Sequence, residues 1–316
     1  MSQIPSYSEV IEAHKKIKGN ANKTPVFSSS TINELFGVDI YFKCENFQKT
    51  GSFKFRGASN AVMSLNNEEA SHGVGTHSSG NHGAALALAA KKRGTDAYIV
   101  MPKDSSAVKK KAVEQYNAHI TFCEPGLDSR EETYRQIEQL TQAKFIHPSS
   151  NRDVICGQGT ATKELIEEYP GLDAVIAPVG GGGLISGTSI ATKGIDSNIR
   201  IYGAEPQMAD DAYRSFKQGF LIPVDRPNTI ADGLLTSLSP LTFKIINEYV
   251  DDILLAKEET IVEAMRLIWE RMKLVAEPSA AVALAAIMDN RFVLKSKKVG
   301  VILSGGNVDF SNLPFK

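Results

Sequence analysis

The hydrophobic residues of the chain form two kinds of pattern that alternate along it. Short apolar runs, such as residues 97–101 (AYIVM), predict buried strands. Longer segments with apolar residues every three or four positions predict helices, and SYSE at 6–9 has capping-box spacing before the first one. The predicted helices are 10–17, 53–65, 81–92, 106–116, 129–142, 160–169, 184–193, 261–273 and 279–288. The predicted strands are 39–43, 74–78, 97–101, 119–123, 144–147, 174–177, 199–204 and 298–303.

This alternation of strands and helices predicts an α/β fold. Parallel sheets built in this way are covered by helices on both faces. Residues 73–147 contain a strand–helix series of their own. We therefore predict two three-layer domains with parallel sheets: a discontinuous large domain of residues 1–70 and 149–316, and a small domain of residues 71–148 inserted into it.

The composition excludes several classes of protein. Lys and Arg number 35 against 36 Asp and Glu, so the net charge of −1 removes the electrostatic case for nucleic acid or an anionic membrane as a partner. The three cysteines, Cys44, Cys123 and Cys156, have neither disulfide-framework nor zinc spacing. Residues 1–18 lack the apolar core of a signal peptide, and no apolar run reaches the roughly 18 residues of a spanning helix. We expect a cytoplasmic protein.

A glycine-rich segment, GGGGLISG at 180–187, follows a predicted strand and opens a predicted helix. It does not satisfy G-x-G-x-x-G and lacks the lysine that ends a P-loop. Backbone N–H groups at a helix N-terminus bind anions, and glycines leave them accessible, so the segment predicts a phosphate site. The alternative is a tight strand–helix turn.

Three further segments carry candidate chemistry. Lys54 lies between Phe53 and Phe55, and apolar surroundings lower the pKa of an amine, which can then attack a carbonyl group. The alternative is a lysine on a solvated helix face. SSGNHG at 78–83 precedes a helix and could be a simple N-cap. Ser304 follows the last predicted strand, where ligands of α/β sheets bind.

Together these segments resemble the fold-type II pyridoxal-phosphate enzymes, within the group of serine racemases and serine/threonine dehydratases. The resembling motifs occur in the family's order and span nearly the whole chain. They are KCENFQKTGSFKFRGA from Lys43, SSGNHGAALA from Ser78, GQGT from Gly157, GGGGLISG from Gly180 and SGGN from Ser304.

The resemblance implies a cofactor site for pyridoxal 5'-phosphate. Lys54 would hold the cofactor as an internal aldimine and act as the base on one face of the substrate Cα. Phe53 would pack beside the cofactor ring, Asn81 would bind its 3-oxygen, and Ser304 would face its pyridine nitrogen. The phosphate would be held by Gly180, Gly181, Gly182, Gly183 and the N–H of Leu184.

The resemblance implies racemisation of L- and D-serine, with β-elimination of serine to pyruvate and ammonia. Racemisation needs an acid–base group on each face of the Cα, and Ser79 would serve the face opposite Lys54. Ser79 could instead be a cap or a substrate contact, and hydroxyaspartate dehydratases also carry serine there. The implied substrate residues are Ser78, Ser79, Asn81, His82, Arg130 and Thr236.

Two alternatives to the racemase remain open. The first is a dehydratase of L-threo-3-hydroxyaspartate, threonine or serine without significant racemase activity. Arg130 could receive a second carboxylate, and SSN at 149–151 departs from the usual pattern after His147 and Pro148, which puts the choice of substrate in question. The second is a protein that binds pyridoxal phosphate or a nucleotide without catalysis.

The resemblance also implies accessory sites in a homodimer. A divalent cation, Mg²⁺ or Ca²⁺, would be bound by Glu205, Asp211 and the carbonyl of Ala209, since oxygen ligands suit these ions. The alternative is an acidic solvated loop. ATP would bind as an effector at the subunit interface. The matching positions are Ser29, Ser30, Thr31, Lys49, Thr50, Lys273 and Asn307.

Overall fold

Ten strands form two separate sheets in the computed structural model of the chain, which describes residues 3–78, 80–105, 107–294 and 297–315. Apolar and β-branched residues dominate most of these short segments, as expected of strands buried on both faces. In chain order the strands are β1 Val26–Phe27, β2 Asp39–Cys44, β3 Val74–Thr76, β4 Ala97–Pro102, β5 His119–Cys123, β6 Lys144–Phe145, β7 Ala174–Pro178, β8 Arg200–Pro206, β9 Asp252–Ala256 and β10 Lys298–Leu303.

Helices connect most of the strands, as the alternating pattern predicts. They are α1 Tyr7–Ile17, α2 Ser30–Phe36, α3 Lys54–Met63, α4 Asn67–His72, α5 Asn81–Arg93, α6 Ala107–Glu114, α7 Leu127–Thr141, α8 Arg152–Glu168, α9 Gly183–Ile195, α10 Asp211–Gln218, α11 Pro240–Tyr249, α12 Glu258–Leu267, α13 Pro278–Asp289 and α14 Arg291–Leu294. Within the described residues, none of these helices is long and apolar enough to cross a membrane.

The larger sheet has six strands in the order β1-β2-β10-β7-β8-β9. Its neighbours are parallel except at one edge, where β1 runs antiparallel to β2. The antiparallel neighbour, β1, is a two-residue strand whose connection to β2 returns through the short helix α2. In β10, which lies near the middle, Val301 pairs with Phe42 of β2 and Ile176 of β7.

Helices cover both faces of this sheet because successive strand side chains point to opposite sides. Val301 and Leu303 of β10 pack into a core formed with α12 and α13, whereas Ile302 between them packs into a core that contains Leu165 of α8 and Ile185 of α9. The sheet is thus the middle layer of three, which confirms the predicted fold class.

The smaller sheet has four parallel strands in the order β5-β4-β3-β6. In β4, Ile99 and Met101 pack into a core with α3 and α5, while Val100 packs with Tyr134 of α7 on the other face. All four strands lie between Val74 and Phe145, inside the proposed insertion. The exact domain limits stay a prediction.

Two predicted helices differ from the structure. The helix expected at 160–169 begins at Arg152, where the side chain of Asn151 accepts a hydrogen bond from the backbone N–H of Val154. The helix expected at 261–273 changes after Leu267 into a π-helix, Ile268–Met272, and ends at Lys273 with a φ of 58°. The sequence interpretation also missed α2, α4, α10, α11, α14, β1 and β9.

Candidate active site

One open cleft of about 1350 Å³ is lined by residues from both sheets. It lies at the carboxyl ends of the strands: His77 follows β3, Gly180 follows β7, and Ser304 follows β10. Parallel strands bring their carboxyl ends to the same edge of a sheet, which is where α/β proteins bind ligands. The strand order therefore brings most of the candidate residues together in this cleft.

Lys54 begins α3 and is tied to the end of β10. The backbone N–H of Phe53 donates to the carbonyl of Ser304 at 3.0 Å. The Nζ of Lys54 donates to the carbonyl of Pro148 at 2.9 Å and lies 5.1 Å from the ring centroid of Phe53. Burial lowers the pKa of Lys54 to about 8, although the nearby Glu277 opposes the shift. Burial therefore makes the neutral, nucleophilic form of this amine easier to reach than in an exposed lysine.

The glycine-rich loop lies between β7 and α9. Gly182 has a φ of +79°, and a Cβ there would lie 2.7 Å from Cδ2 of Leu238. A Cβ on Gly181 would lie 2.6 Å from Oγ of Ser149, so this part of the unusual segment after Pro148 packs directly on the loop. The first N–H groups of α9 have no partner within the helix. The loop therefore offers backbone donors and a positive dipole end to an anion in the cleft.

A buried carboxylate, Glu277, joins three parts of the site and was not anticipated from the sequence. Its oxygens accept hydrogen bonds from the side-chain amide of Asn81 at 2.9 and 3.1 Å and from the backbone N–H of Asn307 at 3.1 Å. The amide of Asn307 in turn donates to Oδ1 of Asn81 and to the carbonyl of Thr50, both at 2.8 Å. Burial raises the pKa of Glu277 to about 7. Its sequence setting, before Pro278, is that of an ordinary helix start.

Histidines contribute neutral rings to the cleft. His82 is 1% exposed, its Nε2 lies 3.0 Å from the carbonyl of Ile146 and must donate to it, and burial lowers its pKa to about 3. The Nδ1 of His147 accepts from the backbone N–H groups of Ser149 and Ser150 at 3.1 and 3.0 Å, and burial lowers the pKa of His147 to about 4. These hydrogen bonds fix the tautomer of each of the two rings, His82 and His147.

The cleft brings together most of the residues expected to bind cofactor and substrate. Those that line it are Phe53, Lys54, Ser78, Asn81, His82, Arg130, Gly180, Gly181, Gly182, Gly183, Leu184, Thr236 and Ser304. Ser79 lies outside the described residues. His77, which stacks on Phe145 at 5.0 Å, and His147 also line the cleft and were missed, because their sequence neighbours form no familiar motif.

The expected metal ligands do not line this cleft. The carboxylate of Glu205 accepts from the N–H groups of Ala212 and Tyr213 at 2.9 and 2.8 Å, and burial raises its pKa well above the usual value. Burial raises the pKa of Asp211 to about 6, and its Oδ2 is buried without a hydrogen-bond partner in the described structure. No group of three or more His, Cys, Asp or Glu side chains suited to a metal occurs in the described ranges. The predicted ligands include only two such side chains, the carboxylates of Glu205 and Asp211, because the third ligand is the backbone carbonyl of Ala209.

Of the residues expected to bind a nucleotide effector, some line the cleft and others lie outside it. Thr50 and Asn307 line the cleft and are hydrogen-bonded to each other. The side chain of Ser29 caps α2, Ser30 and Thr31 form the first turn of that helix, Lys49 donates to the carbonyl of Asn20, and Lys273 donates to the carbonyl of Glu270.

Comparison with known proteins gives one consistent result. The family described as "Pyridoxal-phosphate dependent enzyme" matches residues 17–305. The chain is 52% identical over 309 residues to a serine racemase of Dictyostelium discoideum, covering 96% of this chain and 95% of that one. It is 48% identical over 312 residues to the beta-hydroxyaspartate dehydratase of Paracoccus denitrificans, covering 99% of each.

The fold agrees with these matches. The crystal structure of the Dictyostelium discoideum serine racemase superposes with a TM-score of 0.94 at 51% identity, covering 98% of this chain and 100% of that chain. The family match covers most of the chain, and similarity of sequence and fold extends over nearly all of it. The chain belongs to the pyridoxal-phosphate-dependent enzyme family.

Proposed function

We propose that this enzyme interconverts L-serine and D-serine and also eliminates water from serine to give pyruvate and ammonia. The observation that carries the proposal is Lys54, an amine of lowered pKa that faces the cleft shared with the glycine-rich loop. The similarity to a serine racemase over nearly the whole chain supports the choice of substrate.

The residues of the cleft fit pyridoxal phosphate. The glycine-rich loop at the start of α9 suits a phosphate, and Lys54 suits an aldehyde. Phe53 provides an apolar face for the ring, and the hydroxyl of Ser304 would face the ring nitrogen. When bound, the cofactor withdraws electrons from the substrate Cα and so makes its proton acidic.

Lys54 would exchange the Cα proton on one face of the substrate. A pKa of about 8 suits this role, because general acid–base catalysis is most effective when the pKa lies near the working pH. Ser79 would serve the opposite face, as the family resemblance implies. The hydrogen bonds that Asn81 donates to Glu277 and accepts from Asn307 would hold the amide of Asn81 beside the ring oxygen.

The substrate carboxylate would bind at the start of α5. This thirteen-residue helix begins at Asn81, and its N-terminus lines the cleft with Ser78 and Thr236. Backbone N–H groups and the helix dipole favour an anion there. His82 would remain neutral and orient the helix, because its Nε2 is already bound to the carbonyl of Ile146.

A dehydratase of L-threo-3-hydroxyaspartate is the second candidate. Arg130 lines the cleft, and its charge contributes to the lowered pKa of His77, after burial. A guanidinium at that wall could pair with a second carboxylate. The similarity to a beta-hydroxyaspartate dehydratase favours the same possibility.

The accessory sites remain part of the proposal. The Oδ2 of Asp211, which has no hydrogen-bond partner among the described residues and lies near Glu205, supports a Mg²⁺ or Ca²⁺ site completed by the carbonyl of Ala209 and water. The bonded pair Thr50 and Asn307 supports an effector site for ATP that communicates with the cleft.

A cytoplasmic homodimer completes the proposal. The exposed side chains of Leu35, Phe27 and Phe47 support an interface. Free, buried thiols at Cys44, Cys123 and Cys156 suit the reducing cytoplasm.

One assay decides between the two enzymes. The purified protein with bound cofactor is given L-serine, and D-serine and pyruvate are measured together. Ser79→Ala should suppress formation of D-serine strongly and leave part of the pyruvate formation, since elimination needs Lys54 to take the Cα proton and only some nearby acid to protonate the leaving hydroxyl, which departs as water. Absence of D-serine from the wild type, with rapid consumption of threo-3-hydroxyaspartate, would favour the dehydratase. Equal racemisation by wild type and Ser79→Ala would remove Ser79 from the mechanism.

A further inference from the structure

The motif that contains Lys54 also contains three charged residues to which the proposed function gives no role. Lys43 lies in β2, Glu45 follows that strand, and Arg56 lies in the first turn of α3. All three are 0% exposed. Charged side chains are rarely buried to this degree unless they are fully paired, and buried pairs can serve to specify one geometry.

The guanidinium of Arg56 is held by two carboxylates at once. Its Nε and Nη2 donate to the two oxygens of Glu45 at 2.7 and 2.8 Å. Its Nη1 and Nη2 donate to the two oxygens of Glu164 at 2.8 Å each, and Nη1 also donates to Oγ1 of Thr160 at 3.1 Å. These bonds use every N–H of the guanidinium, so both its position and its plane are determined.

Lys43 balances the charge of this cluster. Its Nζ lies 2.7 Å from an oxygen of Glu164 and donates to the carbonyl of Thr24 at 2.7 Å. Two cations therefore face two carboxylates, and a further titratable group, His14, has its Nδ1 3.8 Å from Glu164. The cluster is neutral and well hydrogen-bonded, so each member keeps the others in place.

The cluster joins the elements that frame Lys54. Lys54 is the first residue of α3, and Arg56 lies two residues later. Glu164 belongs to α8, which begins four residues after Pro148, the acceptor of the Lys54 amine. The two helices touch through their backbones, since a Cβ on Gly157 would lie 2.6 Å from the carbonyl oxygen of Arg56.

We propose that Arg56 is a positioning residue for Lys54. By binding Glu45 beside β2 and Glu164 on α8, it fixes the first turn of α3 so that the Lys54 amine meets the aldehyde of the cofactor. Arg56 does not line the cleft, so its effect passes through the helix rather than through contact with the cofactor. The proposal rests on the proposed role of Lys54.

The test compares Arg56→Lys with a matched control. Lysine keeps the positive charge but cannot bind two carboxylates in bidentate fashion. The control is Leu165→Ala, which removes a fully buried side chain next to Glu164 along α8 and leaves the charged cluster intact. Both variants should unfold at lower temperatures than the wild type, because each disturbs the interior.

The readout is the rate at which pyridoxal phosphate attaches covalently to the cofactor-free protein, followed by absorbance at a temperature where each protein is folded. We expect Arg56→Lys to slow attachment at least about tenfold, and Leu165→Ala to stay within about twofold of the wild type, because small displacements of a reacting group are costly. In steady-state assays Arg56→Lys should lower kcat more than it changes KM.

Two further measurements make the result decisive. Borohydride reduction of the wild type comes first: labelling of a different lysine would overturn the role of Lys54 itself. If Lys54 is labelled but the two variants attach cofactor equally fast, only the role of Arg56 is overturned. If Arg56→Lys does not fold, Thr160→Val removes one bond to the guanidinium and keeps every charge. It should slow attachment in the same direction, and an unchanged rate would overturn the proposal.

Discussion

Ionisation of Glu277 is expected to make the cofactor-free protein less stable as the pH rises. Glu277 is 5% exposed, and burial raises the pKa of its carboxyl from 4.5 to about 7 in the folded chain. The folded state therefore holds this proton more tightly than the unfolded state does. Stability falls as the pH rises from the unfolded pKa to the folded pKa, and little further change comes from this group above it.

The magnitude follows from the size of the shift. Each pKa unit corresponds to about 1.4 kcal/mol, so this group alone should cost about 2.5 kcal/mol of unfolding free energy between pH 5 and pH 8. Glu277→Gln cannot ionise and should not show this loss. The glutamine has one acceptor oxygen where the carboxylate accepts from Asn81 and Asn307, so the variant should lose about 1 kcal/mol per missing bond at every pH.

Urea unfolding of the cofactor-free wild type and Glu277→Gln at pH 5, 6, 7 and 8 measures this difference. The variant should be less stable than the wild type at pH 5 and should match or exceed it at pH 8. Glu259→Gln, which removes an exposed carboxylate of α12, serves as the control. A stability difference between wild type and Glu277→Gln that stays constant from pH 5 to pH 8 would show that Glu277 does not ionise in this range with a raised pKa.

Three other predictions concern the cofactor, the loop and the metal. Lys54→Ala should abolish covalent attachment of pyridoxal phosphate and both reactions of serine, measured by absorbance and product analysis; retained attachment would contradict its role. Gly182→Ala should lower the free energy of unfolding by at least about 1–2 kcal/mol, because its φ of +79° disfavours a side chain; an unchanged urea midpoint would contradict this. Mg²⁺ or Ca²⁺ at about 100 times its Kd should stabilise the wild type by about 2.7 kcal/mol, and Asp211→Asn should reduce this gain; equal thermal shifts would exclude the site.

Helix boundaries show how packing overrides local sequence. The sequence places the start of α8 at residue 160, whereas the helix begins at Arg152. Gly157 and Gly159 weaken the helical pattern, since glycine has low helix propensity. The structure supplies the reason for them: a Cβ on Gly159 would lie 2.7 Å from the carbonyl oxygen of Gly187 on α9. Close contact between helices, which local propensity does not reveal, requires these glycines.

A readable signal was overlooked at α11. Ser239 accepts a hydrogen bond from the N–H of Thr242, and Pro240 occupies the first helical position, which is a common N-terminal pattern. In α10 no comparably distinct pattern is present, because it carries mostly polar residues, whereas the apolar run of β9 was a readable strand signal that was also overlooked. Pairing with β8 positions β9, and packing against β9 positions α10.

The alternating α/β fold, the glycine-rich loop and the family could be predicted from the sequence, because each is recognised from short segments whose residues are neighbours in the chain. The surroundings of these segments depend on contacts between distant parts of the chain. Glu277 reaches Asn81 across 196 positions, and Arg56 binds Glu164 across 108. The local sequence does not reveal such pairs. Burial and hydrogen bonding between distant segments arise only when the strands align their ends and the helices pack over them.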